Sequence, residues 1–216
     1  MELDLVEGRI LGSLIEKQLS TPQQYPLSLN SLALACNQAS NREPVANYTE
    51  AQVQEGLDGL KGKGLLRFVL PSHGRSVVRY RHVLDEKLAL DPRQMALVAV
   101  LLLRGPQTAG ELRTRTERMA QFDGTGAVES DLEGLLRWED PLVARLPRRP
   151  GQKEERWTQL LTAPTADPSP VEPTTDTPTR PSRRPDEDLG QALDALREEV
   201  ASLRAEVADL RQALGG

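Results

Sequence analysis

The 216-residue chain holds one cysteine, two histidines and seven aromatic residues, and no apolar run approaches the roughly 18 residues that cross a bilayer as a helix. Each shortage closes a class. One thiol makes no internal disulfide, and Cys36 with only His73 and His82 beside it cannot complete a structural zinc site, so no metal and no cofactor are expected. The N-terminus, MELDLVEGRILGSLIEK, lacks the basic start and unbroken apolar core of a secretory signal, which predicts a cytoplasmic protein that does not engage a membrane. Phosphate-loop chemistry is missing as well: GKG at 62–64 has neither the preceding spacing nor the Ser/Thr that such a loop requires. Cys36 lies on an apolar helical face between Ala35 and Asn37, the setting of a buried structural thiol. No catalytic residue is expected, and the chain reads as a non-enzyme.

What is present divides into segments of different composition. All seven aromatics precede residue 162. Residues 162–186 carry seven prolines among Thr, Ser and Asp, with few side chains able to offset the entropy of ordering, and read as a disordered Pro/Thr-rich linker. Residues 1–84 hold 9 basic and 8 acidic side chains, residues 85–161 hold 12 and 13, and residues 187–216 hold 3 and 7. Most of the net charge of −5 therefore belongs to the tail and says little about what the remainder binds.

The tail, 187–216, carries apolar residues in an unbroken 4-3 alternation: Leu189, Leu193, Leu196, Val200, Leu203, Val207, Leu210 and Leu214. That is a heptad seam with Leu at d and Val at two of the a positions, which favours two parallel strands. Glu199 and Glu206 fall at g, Arg204 and Arg211 at e, so the charges pair across a parallel dimer in the same register. A C-terminal coiled-coil oligomerisation helix is the expectation, with this chain as its own partner; a trimer and packing on the chain's own folded part remain open.

The first 161 residues show one order of elements twice. In 1–84, Leu3, Val6, Ile10 and Leu14 trace a helical face, and TPQQYP breaks it. Ser28 caps a second helix, and Thr49 with Gln52 forms a capping box for a third that ends at Gly62 and Gly64. LLRFVL and VVRYRHV flank the turn PSHGRS as a hairpin. In 85–161, Asp91 and Pro92 open the buried helix MALVAVLLL, and Gly105-Pro106 stops it. Thr108 with Glu111 boxes GELRTRTERM, a third helix runs from about Gly126, and LVARLP and ERWTQLL close a second hairpin. The fold class is therefore mainly α with small β-hairpins (α+β): two tandem winged helix-turn-helix domains, a linker and a coiled coil.

IEKQLSTPQQYPLSLNSLALACNQASNREPV and LLLRGPQTAGELRTRTERM, with RLPRRPGQKEERW near the end of the folded part, resemble the YceH-like family of uncharacterised bacterial proteins. The resemblance spans about residues 3–161. It implies tandem winged helices and carries no established activity.

Candidate binding residues follow from that fold. A third helix reads base edges and wing residues touch phosphate in a DNA-binding winged helix. The wings offer His73, Arg75, Arg79 and Arg81 in the first half and Arg145, Arg148, Arg149 and Lys153 in the second, with Arg113, Arg115 and Arg118 on the second helix of the second half. Gln52 and Gln54 can pair with adenine. The turn Ser40-Asn41-Arg42-Glu43-Pro44 places Asn41 and Arg42 either as an exposed grip on phosphate or carboxylate or as turn chemistry. Against DNA stand Glu50, Glu55 and Asp58 on one third helix and Glu129, Asp131 and Glu133 on the other. The expectation is a DNA-binding regulatory or architectural protein, dimerised by its coil; the alternative is a protein-protein adaptor using the same modules for docking.

Overall fold

A computed structural model describes residues 2–70, 77–148 and 154–163. The expected linker beyond Ala163 and the heptad segment, with Leu189, Leu193, Leu196, Val200, Leu203, Val207, Leu210 and Leu214, lie outside the described residues, as do His73, Arg75, Arg149 and Lys153. Thr162, expected to open the linker, instead bridges to Leu3 and donates its amide to the Gln159 side chain at 2.9 Å. Met1–Asp167 form one compact unit.

Its elements run α1 (Leu5–Ser20), β1 (Leu27–Ser28), α2 (Leu29–Cys36), α3 (Glu50–Gly62), β2 (Leu66–Val69), β3 (Arg79–His82), α4 (Leu84–Leu88), α5 (Pro92–Arg104), α6 (Ala109–Thr116), α7 (Thr125–Leu136), β4 (Val143–Leu146) and β5 (Arg156–Gln159). The architecture is α+β, with seven α-helices and two small antiparallel sheets among the described residues. No helix among them is long and apolar enough to cross a membrane.

Local chemistry sets the helix starts where the sequence places them. The Thr49 hydroxyl accepts from the Gln52 amide at 3.3 Å while the Gln52 side chain accepts from the Thr49 amide at 2.9 Å. Thr108 and Glu111 repeat the exchange at 3.2 and 2.9 Å, and Asp91 caps α5 with Pro92 in its first turn. Each box satisfies amides that the first turn leaves without partners.

The order helix, helix, helix, hairpin occurs twice, and the likeness extends to a third strand. Leu27 and Ser28 of β1 pair with Tyr80 and Arg79 of β3, giving the sheet order β1-β3-β2. Gln107, immediately before the α6 cap, exchanges backbone bonds with Trp157 of β5 at 2.7 and 3.0 Å in the corresponding place. β1 and the short helix α4 are additions to the expected order: two residues are too few to show strand alternation, and LDEKL is too short to show a helical period.

The halves join through their first helices, α1 against α5. Gly12 makes the approach possible, since a Cβ there would lie 2.9 Å from Leu103 Cγ, while one at Gly8 would lie 2.5 Å from Thr162 Cγ2, on the chain that follows β5. The core runs through this seam from Ile10, Leu11, Leu14 and Ile15 to Leu97, Val98 and Leu101, each buried large side chain stabilising the fold by roughly 1.5 to 3 kcal/mol. Glu7, 2 % exposed, is held under α3 by Lys63 and by the Asp4 amide, and the small residue Gly59 leaves the room its carboxylate occupies.

Candidate functional site: exposed helix faces and a basic cleft

The outward face of α3 carries three carboxylates against Lys61, and on α7 the carboxylates other than Glu129 are paired with arginines. Glu50, Glu55 and Asp58 are exposed on α3. Gln54 donates to Asp58 at 3.3 Å and accepts from the Tyr80 hydroxyl at 3.2 Å, and the carbonyl of Gln52 is engaged in the capping box. On α7, Glu129 is exposed, Asp131 pairs with Arg93 at 2.9 Å, and Glu133 pairs with Arg137 at 2.8 Å and Arg145 at 3.1 Å.

Hairpin arginines are drawn to carboxylates. Arg145 also reaches Glu155 at 3.2 Å while lying over the Trp157 ring, and Arg148 stands 3.9 Å from the same Glu155. Arg67 and Arg81 share Glu86 at 3.0 and 2.7 Å. Arg79 is exposed and donates to the Pro26 carbonyl at 2.9 Å. On and beside the strands of the first hairpin Leu70 is 72 % and Val77 64 % exposed, with Val69 37 %.

Arg42 is turned inward. It is 3 % exposed and donates to the Ala35 carbonyl at 3.0 Å, to the Asn41 carbonyl at 2.8 Å and to both Glu16 oxygens at 3.2 and 2.6 Å. Of the two roles open to it in the sequence, the structure places it in the chain-shaping one. Burial alone would raise the Glu16 carboxyl, but the hydrogen bonds and charge of Arg42 hold it below the ordinary value. Arg9, 4 % exposed, donates to the carbonyls of Cys36 at 3.1 Å and Pro44 at 2.6 Å. These two guanidinium groups clamp the α2–α3 connection, leaving Ser40 and Asn41 at its surface. Asn41 adopts a left-handed φ of 61° and accepts from Arg104 at 2.7 Å.

Asn41 borders a cleft of about 820 Å³ between the two halves, lined by Lys17, Ser40, Arg104, Arg115 and Arg118 among others. Arg115 contacts the Gln107 side chain and lies 3.7 Å from Glu111; Arg113, in the same last turn of α6, is exposed. Lys17 and Arg104 were not singled out in the sequence. Each stands in the last turn of its helix, where a basic residue complements the helix dipole, and only the packing of α1 on α5 brings them together.

The candidate thiol and imidazole are buried, Cys36 beside Ser13 and His82 3.6 Å from Asp85. Burial pushes the Cys36 thiol up to about 11, and burial pushes the His82 imidazole down to about 4, its Nδ1 accepting from the Leu84 amide at 3.3 Å. At neutral pH both are uncharged, the states in which buried groups of these types are inert. Among the described residues no group of three or more His, Cys, Asp or Glu side chains is placed to hold a metal ion.

The family model described as "Protein of unknown function, DUF480" matches residues 3–152. A UPF0502 protein of Geotalea uraniireducens is 48 % identical over 211 residues, covering 98 % of this chain and 91 % of its own length. One from Shewanella oneidensis is 42 % identical over 218 residues, 99 % of this chain and 96 % of its own, and one from Cronobacter sakazakii is 44 % identical over 218 residues, 99 % and 94 %.

Proposed function

We propose that this chain, which belongs to the DUF480 family of uncharacterised proteins, is a non-enzymatic tandem winged-helix adaptor that docks on another protein. The carrying observation is the charge on its third helices, above all on α3. Glu50, Glu55 and Asp58 on α3 and Glu129 on α7 are exposed where a DNA-reading module would meet a phosphate backbone, and like charge there repels. The same carboxylates suit a partner surface that is basic. Leu70 and Val77 supply the apolar contact that charge alone does not. In this reading the heptad residues Leu189–Leu214 pair two copies in parallel, so that each assembly presents two docking units and gains avidity.

The second reading, double-stranded DNA, is favoured by Arg79, Arg113 and Arg148, which are exposed and have the chemistry of phosphate contacts. Chemical cross-linking of the full chain in a lysate of its source, comparing wild type with the variant Glu55→Lys/Asp58→Lys, tests the docking face. The expected result is a partner cross-linked through α3 in the wild type and lost in the variant. A cross-link pattern indifferent to the charge reversal contradicts it. For the assembly, Leu203→Asp is expected to halve the mass seen in sedimentation; an unchanged mass refutes the coil.

A further inference from the structure

Basic side chains that find no use on the third helices converge elsewhere. Lys17 from the last turn of α1, Arg104 from the last turn of α5, and Arg115 and Arg118 from the end of α6 face one cleft of about 820 Å³, a volume within the range of small-molecule sites. Two carboxylates share its lining, Glu16 and Glu117. Glu16 is already committed to the buried Arg42 through both oxygens and also lies 3.2 Å from Lys17, and Arg115 lies 3.7 Å from Glu111 outside the lining. Arg104 and Arg118 are thus the lining cations that meet no carboxylate at ion-pair distance among the described residues. Three helix C-termini end near the cleft, and each contributes roughly half a unit of negative charge; the balance stays positive. Arg104 meets only the neutral Asn41 oxygen, at 2.7 Å, and no carboxylate lies within ion-pair distance of it among the described residues. Burial first, and the neighbouring Arg115 second, disfavour its charged form, a cost that a bound anion reverses.

Hydroxyl and amide groups stand beside these cations. Ser40 and Asn41 lie on a connection fixed from beneath by Arg9 and Arg42, so the donors are held in place before any ligand arrives. Guanidinium groups match phosphate oxygens in bidentate geometry.

We propose that this cleft binds a small polyanion of the diphosphate class, gripped from the first half by Lys17 and Ser40 and from the second by Arg104, Arg115 and Arg118. Because the ligand touches both halves, it ties them together and stabilises the unit. The inference does not depend on the docking reading, whose face is on α3 and α7.

Isothermal titration of the full chain with inorganic pyrophosphate at low ionic strength tests it, with citrate as a carboxylate polyanion and a short DNA duplex as parallel titrants. The expected result is saturable pyrophosphate binding, tighter than citrate, weakened about tenfold or more by Arg104→Gln and by Arg118→Gln and unchanged by Arg137→Gln, whose arginine pairs with Glu133 on α7. Arg118 is exposed, so its variant keeps the fold and the comparison sound. No saturation by about 10 mM pyrophosphate, or equal weakening in all three variants, overturns the site. Citrate binding as tightly as pyrophosphate overturns the phosphate class, and a duplex that binds through Arg104 and Arg118 while excluding pyrophosphate overturns the small-molecule assignment.

Discussion

The two halves share an order of elements and differ in how the second and third helices are joined. Between α2 and α3 the chain is long and partly interior, and its carbonyls are met by Arg9 and Arg42, which are 4 % and 3 % exposed. Asn37 adds a two-way bond to Tyr48, donating at 2.8 Å and accepting at 2.7 Å. Between α6 and α7 the connection is shorter, 117–124 against 37–49. There Arg93, partly exposed, lies over the Phe122 ring at 4.8 Å and bonds Asp131. Backbone carbonyls turned inward must find polar partners, and the longer connection meets that need with the buried guanidinium groups of Arg9 and Arg42. One topology is thus held by a buried ion pair in one copy and by a more exposed one in the other.

The contrast is broken most severely at Arg42. Arg42→Met leaves Glu16 without its buried partner and is expected to cost about 3 to 5 kcal/mol in urea unfolding, whereas Arg93→Met is expected to cost about 1 kcal/mol or less. Equal losses would erase the distinction between the halves.

Acid acts on the same asymmetry. His82, buried in the first half, has its imidazole lowered from 6.5 to about 4, so the unfolded chain takes a proton that the folded chain refuses. Its contribution is complete above pH 6.5 and is lost between there and about pH 4, on the order of 3 kcal/mol. Glu16, held below its ordinary 4.5, adds a contribution present above that value and lost at lower pH as the carboxyl protonates. His82→Gln is expected to flatten the upper part of a stability-pH profile and leave the lower part; a profile identical to wild type counts against the buried imidazole.

A smaller effect sits at the seam between the halves. Gly12→Val puts methyl groups against Leu102 and Leu103 and is expected to cost about 1 to 3 kcal/mol by overpacking, read as a lowered thermal midpoint. Smallest is Arg145→Ala, expected to change stability by about 1 kcal/mol or less and to matter less still in high salt, because its partners Glu133 and Glu155 are solvent-accessible.

Much of this was legible in the residues because helix starts are local. Thr49 with Gln52 and Thr108 with Glu111 announce themselves by residue type at a fixed three-residue spacing. The apolar stretch Met95–Leu103 could only be interior, and it is the helix on which α1 packs. What escaped is decided by distant chain. Arg42 lies inside because Glu16, 26 residues away, receives it. Lys17 and Arg104 line a common cleft only after α1 meets α5. Gly8 and Gly12 look like ordinary helix glycines until Thr162 and Leu103 are placed against them. The acidity of α3, by contrast, was evident from its residues, and the functional reading rests on it.

Fluorescence anisotropy of a labelled generic duplex with the full chain at about 50 mM salt tests that argument most directly. The acidic face of α3 predicts no rise in anisotropy at micromolar protein. Saturable binding that weakens steeply with added salt, and that falls when Arg79 and Arg148 are changed to Ala, would contradict the adaptor reading and assign the paired modules to DNA.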